Sequence, residues 1–225
     1  MSPQLKKLLP VVVFALIVLG VFAVHKGILP DPTGTISTSE GPAPTVGHND
    51  PATAKQQLAA LTVAAEGSMA GYSREKFQHW ITQDGKCDTR ETVIKRDGTD
   101  VQVDAACKAT SGTWFSPYDD KKITKATELD IDHWVPLAAA WRSGAKQWTD
   151  EQRKQFANDL THHQLIAVSA ASNRSKGDQS PDTWKPPSTG FWCVYASNWV
   201  EVKSVYGLTI NPAEKTALTE MLGRC

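Results

Sequence analysis

A chain of 225 residues has room for one ordinary domain plus accessory segments. Its 24 basic and 24 acidic side chains cancel, which excludes a protein that coats nucleic acid through overall charge; any such contact has to be a local patch. The four cysteines form no C-x-x-C pair, which argues against a zinc knuckle or a dithiol redox motif.

Lys6 and Lys7 precede a run from Leu8 to Val24 that holds no charged or polar side chain. As a helix it would extend about 25 Å, at the lower edge of what spans a bilayer. Positive residues ahead of an apolar run begin both signal peptides and anchors whose N-terminus stays inside. With a passable cleavage site at Val21-Phe-Ala23, residues 1–28 read as a signal peptide or an N-terminal membrane anchor. Both readings place the rest of the chain outside the cytoplasm. Residues 29–54, rich in Pro, Thr, Ser and Gly, read as a disordered linker. The folded domain is expected over 55–225.

Within it, apolar residues at 58, 61 and 65 predict a helix from Lys55. A second helix is predicted from Tyr72 to Trp80, with Ser73 as cap and Phe77 and Trp80 on one side. Strand-like runs around Asp97-Gly98, between Thr92 and Val103, predict a hairpin bracketed by Cys87 and Cys107. Gly112 to Asp120 reads as a strand and turn that lead into a further strand ending at Asp132-His133. Short helices are predicted at Leu137–Trp141 and at Thr149–Leu160, the latter capped by Thr149. A strand follows at Leu165–Val168. Beyond a Pro-rich stop at 181–187, helices are predicted at Phe191–Tyr206 and, opened by Asn211-Pro212, at Asn211–Leu222. The fold class is α+β: small hairpins plus helices, stapled by disulfides. Four cysteines allow three pairings, and proximity favours Cys87–Cys107 with Cys193–Cys225.

The chemistry concentrates in two stretches. In the first, Asp132 stands directly before His133, in an apolar run that Pro136 cuts short. Neighbouring strand residues point to opposite faces, so a shared site needs a bend or bulge there. In the second, the strand at Leu165–Val168 delivers the chain to Asn173, Arg174 and Lys176. A hard-metal ligand, a proton acceptor, a second oxygen ligand and two cations are the parts needed to hydrolyse a phosphodiester. Each also has an ordinary use. An Asp-His pair can simply satisfy a hydrogen bond, Asn173 can cap a helix, and Arg174 and Lys176 can sit on a solvated turn. His162 and His163 read by default as a surface pair before a strand. The eight tryptophans read as core anchors more than as base-stacking platforms.

Asp132-His133-x-x-Pro136, then Gln164-Leu-x-x-Val168, then Asn173-Arg-Ser-Lys-Gly177 resembles the HNH, or ββα-metal, endonuclease motif. The stretch from Leu129 through Trp184 is more closely similar to the HNH domain at the C-terminus of GmrSD-type restriction endonucleases, and to exported actinobacterial proteins that carry it. The likeness extends over about 72–225, including Cys87-Asp-Thr-Arg90, Trp114-Phe-Ser-Pro-Tyr118 and Ala140-Trp-Arg-Ser-Gly144.

The resemblance implies a ββα-metal core in which His133 is the general base, and Asp132 and Asn173 hold one divalent ion, Mg²⁺ or Mn²⁺. Arg174 and Lys176 are candidate phosphate contacts because they flank Asn173; Arg142 and Arg90, in family-like stretches, are further candidates, with an ion-pair role as the alternative. Gln164 and His163 would support the base. Gln164 stands where the family has its middle Asn, and no His follows Asn173 closely, so that supporting role is a departure from the pattern. The implied activity is metal-dependent hydrolysis of nucleic acid, DNA ahead of RNA, by a protein secreted or anchored to the outer face of the cytoplasmic membrane. A catalytically idle cell-surface binding module on the same scaffold and a nuclease acting on RNA are the rival readings. No obligate protein partner is implied.

Overall fold

The structure is a computed structural model that describes residues 47–225. The Leu8–Val24 run and most of the 29–54 segment lie outside the described residues. Among the described residues, no helix is long and apolar enough to cross a membrane.

Helix α1 (Pro51–Ala60) starts inside the stretch read as linker. Asp50 caps it by accepting a hydrogen bond from Thr53 N at 2.8 Å, and Pro51 suits a first helical position where no N–H partner exists. It stops at Ala60, earlier than predicted, because Leu61 turns extended and the chain goes on to bridge Val63 with Ile210.

The helix predicted at 72–80 is only a 3-10 turn at Arg74–Lys76. Ser73 gives its hydroxyl to Glu75 instead of capping, and Trp80 sits at φ 59, where no right-handed helix continues.

Strands β1 (Thr82–Asp84) and β2 (Cys87–Asp88) make a small antiparallel pair. The hairpin predicted around Asp97-Gly98 is corrected by helix α2 (Thr89–Asp97), which occupies its first arm. Asp88 caps α2 through Glu91 N at 2.8 Å, while Thr89 and Val93, one turn apart, are fully buried. Burial on a helical spacing overrides the β-prone character of Thr92, Val93 and Ile94. Gly98 opens strand β3 (Gly98–Val103), and a Cβ there would meet the Trp114 indole at 2.4 Å, so the position admits only glycine without rearrangement. β3 pairs with β4 (Ala109–Ser116), which pairs with β5 (Lys121–Ile123). The true turn lies at 104–108, where the Asp104 side chain accepts from Ala106 N and Lys108 N. Cys87–Cys107 ties that turn to the start of α2, and Cys193–Cys225 ties the C-terminus down; both are the expected pairings.

The second half follows the sequence more closely. Strand β6 (Leu129–His133) leads to helices α3 (Leu137–Arg142) and α4 (Asp150–Ala157), then strand β7 (Leu165–Ser169) and helix α5 (Ala170–Lys176). Helices α6 (Trp192–Val205) and α7 (Pro212–Leu222) close the domain. Capping boxes start α4, through Thr149 and Gln152, and α7, through Asn211 and Glu214.

β6 and β7 pair antiparallel in unbroken register, from Leu129 opposite Ser169 to His133 opposite Leu165. On one face Leu129, Ile131, Leu165 and Ala167 pack with Val93, Ile94, Trp114 and Ile123. On the other, Ile166 and Val168 join the large core formed with α1, α3, α4, α6 and α7. Both faces being covered explains why β7 reads as one apolar run without alternation. The architecture is α+β, with the β6–β7 pair held between two cores.

Candidate active site

Asp132 lies on the β6 face that meets α5. It is 4% exposed and surrounded by donors: Lys176 Nζ donates to both carboxylate oxygens at 2.8 and 2.7 Å, and Tyr118 Oη donates to Oδ2 at 2.6 Å. Lys176 also donates to the His133 carbonyl oxygen at 2.9 Å. Burial raises the Asp132 carboxyl above its usual range even against the neighbouring ammonium, and burial lowers Lys176. Lys176, expected among the phosphate contacts, is instead 0% exposed and spent on this pair. It cannot reach a substrate.

His133 points to the opposite face, as strand alternation requires. No bulge brings the two together, since the β6–β7 register is regular. Both residues nevertheless line one pocket, where β6 ends and the chain passes through Trp134 and Val135 toward α3. The imidazole stacks on Trp80, with ring centroids 5.4 Å apart and planes 27° from parallel. Its Nε2 lies 2.9 Å from the Ala157 carbonyl oxygen at the end of α4. A carbonyl only accepts, so Nε2 carries the proton and Nδ1 keeps its lone pair in the neutral ring. Burial holds the pKa down, to about 3, against the Ala157 bond that favours the charged form.

Asn173, on α5, donates from Nδ2 to Asp130 Oδ2 at 3.2 Å. Asp130 sits two residues before Asp132 on the same face of β6. The amide oxygen of Asn173 is therefore the atom left for other partners. Asp132, His133 and Asn173 all line one pocket of about 210 Å³ at the C-terminal end of β6, together with Arg74, Arg174 and Asp178. Arg174 reaches Asp130 only at 3.8 Å with its side chain 77% exposed, a contact weak enough to give up.

The remaining expected residues have other partners. Gln164 is fully buried, accepts from Val135 N at 3.2 Å and donates to Val135 O at 3.0 Å, so it fixes the backbone just past His133. His163 bonds Glu201 and His162 bonds Asp159; neither lines the pocket. Arg142 pairs with Glu66 at 3.2 Å and donates to the Asp178 carbonyl at 2.9 Å, beside the pocket without lining it. Arg90 pairs with Glu91 on α2, away from the site. Sequence reading missed Tyr118, Asp130, Arg74 and Trp80. Asp130 had a signal, its period-2 spacing from Asp132; the other three come from distant segments.

Residues 89–221 match the family described as GmrSD restriction endonucleases, C-terminal domain. The chain belongs to that family. It is also 55% identical over 192 residues, 85% of its own length and 94% of the relative's, to a protein of the fungus Arthroderma benhamiae described as an uncharacterized secreted protein. That relative is fungal, not actinobacterial. No solved structure matches the chain. The two disulfides and the secreted relative agree with an extracellular address.

The donors at this GmrSD-type pocket suit a hard cation only in part, because the Lys176 ammonium already neutralises Asp132. Asp132 Oδ1 takes one hydrogen bond and keeps a lone pair, and Asn173 Oδ1 has no hydrogen bond among the described residues. One carboxylate and one amide leave most of a shell to water, the habit of Mg²⁺. Among the described residues no group of three or more His, Cys, Asp or Glu is placed to hold a metal.

Proposed function

We propose that the chain is an exported endonuclease that hydrolyses DNA phosphodiester bonds at this pocket, within a ββα-metal core made by β6, β7 and α5. The observation that carries the reading is the convergence of Asp132, His133 and Asn173 on one pocket at the end of β6, in a chain of the GmrSD C-terminal family.

In this reading His133 is the general base. Its neutral ring offers Nδ1 to a water poised against phosphorus, while the Ala157 carbonyl and Trp80 hold the ring still. A pKa of about 3 makes the isolated imidazole a poor proton acceptor. The negative charge of an incoming phosphodiester opposes that, because a nearby anion favours imidazolium. Asp132 and Asn173 would hold Mg²⁺ or Mn²⁺ through oxygen; when bound, such an ion offsets charge on the phosphate and on the leaving 3′ oxygen. Gln164 keeps the strand exit in place, and Arg174 neutralises phosphate at the rim.

The test offers the purified chain supercoiled plasmid, single-stranded DNA and RNA, first in EDTA and then with Mg²⁺ or Mn²⁺. Nicking of plasmid that EDTA silences and either metal restores is expected. Cleavage indifferent to EDTA removes the metal role, and cleavage of RNA alone moves the substrate class. Inertness to every nucleic acid over a metal and pH screen leaves a binding module on the same scaffold.

A further inference from the structure

We infer that Arg74 is a phosphate-contacting residue of this pocket, the second cation beside Arg174 that seats the substrate backbone. The inference rests on the nuclease reading above. It goes beyond the family match, which begins at Thr89 and assigns Arg74 nothing.

Three observations carry it. First, Arg74 lines the same pocket as Asp132, His133 and Asn173, although it stands far from them in sequence. Second, its guanidinium is exposed and makes no side-chain hydrogen bond or ion pair with any described residue. Its neighbours differ: Glu75 takes the Ser73 hydroxyl, and Lys76 lies 5.2 Å over the Trp141 ring. Third, the turn that presents it is anchored. Phe77 is fully buried against Trp141 and Phe156, its N–H donates to the Arg74 carbonyl at 3.0 Å, and Asn158 Nδ2 donates to the Gln78 carbonyl at 2.7 Å.

Charge balance points the same way. Lys176 is consumed by Asp132, Arg142 by Glu66 and Asp178, and Arg90 by Glu91. A polyanion entering a pocket that also holds Asp178 needs cations still free to pair with it. A guanidinium on an anchored turn loses little entropy on binding and can grip two phosphate oxygens at once.

The test compares wild type, Arg74→Ala and Arg74→Lys in the full chain. Binding of a fluorescent duplex in Ca²⁺ is titrated against salt, and cleavage is followed in Mg²⁺. Arg74→Ala is expected to weaken duplex binding by about tenfold or more, as lost hydrogen bonds to a charged group do. It should lower the slope of log K against log salt by about one, equally for unrelated sequences. Arg74→Lys should keep the slope and recover part of the affinity. Melting temperatures identify any variant whose loss comes from misfolding; Arg74 is exposed, so none is expected. A wild type that binds and cleaves, with Arg74→Ala equal to it in slope and KM, overturns the role of Arg74 alone. A wild type that neither binds nor cleaves overturns the nuclease reading and this role with it.

Discussion

Lys176 Nζ sits within 2.8 Å of both carboxylate oxygens of Asp132, with neither side chain more than 5% exposed. Such a pair is held by its completeness. Two charges taken out of water roughly break even when matched, and removing one leaves the other buried and unpaired. Lys176→Met should therefore destabilise the fold by about 3–5 kcal/mol. The double change Asp132→Leu with Lys176→Met should recover much of the loss. Urea denaturation of the three proteins measures both effects; a single variant as stable as wild type would show that Asp132 needs no internal counterion.

His133 offers a different separation of stability from chemistry. Its ring is buried, and among the described residues its only hydrogen bond runs through Nε2. His133→Ala is expected to lower plasmid nicking by about 10²–10⁴-fold, the usual contribution of a positioned base. The far-ultraviolet circular dichroism should stay native. Full nicking by that variant removes His133 from the mechanism.

The same residue makes stability depend on pH. Unfolded, its imidazole titrates near the model value of 6.5, and folded it stays neutral down to about 3. Between those values the unfolded chain binds one proton more than the folded chain, so stability rises with pH across that window. It should be complete above about pH 6.5 and be lost progressively as pH falls toward 3. Buried or hydrogen-bonded carboxylates such as Asp159 and Asp119, whose pKa values are held low, add to the loss near the acid end. Melting curves from pH 4 to pH 7 for wild type and His133→Gln isolate the histidine. The variant should show a shallower dependence, and parallel curves would mean that the buried ring carries no such penalty.

Asp130 controls which end of the Asn173 amide faces the pocket. With Nδ2 given to Asp130 Oδ2, the oxygen is directed elsewhere. Asp130→Ala frees that amide to turn. Mn²⁺ affinity, measured by calorimetry without nucleic acid, is expected to weaken by about 10–100-fold, as for other groups that orient a metal ligand. Unchanged affinity would take Asp130 out of the site.

Local pattern alone determined much of this protein. Thr149 and Asn211 announce α4 and α7 because a cap bonds to its own helix within three residues. β6 and β7 were legible from their own short apolar runs, and so was the disulfide pairing, which joins cysteines close in sequence. Other features needed the assembled domain. Thr92, Val93 and Ile94 look like a strand until the core beside Trp114 claims Val93 and Ile94 for α2. Tyr118, Trp80 and Arg74 reach the site from separate segments, and no spacing rule links them to Asp132. Lys176 and Arg174, two residues apart on α5, read alike in sequence and part in the fold. One turns inward to an acid that burial forbids to stand alone; the other stays in water, 3.8 Å from Asp130. That choice belongs to the packing, because the cost of an unpaired charge depends on where the rest of the chain excludes solvent.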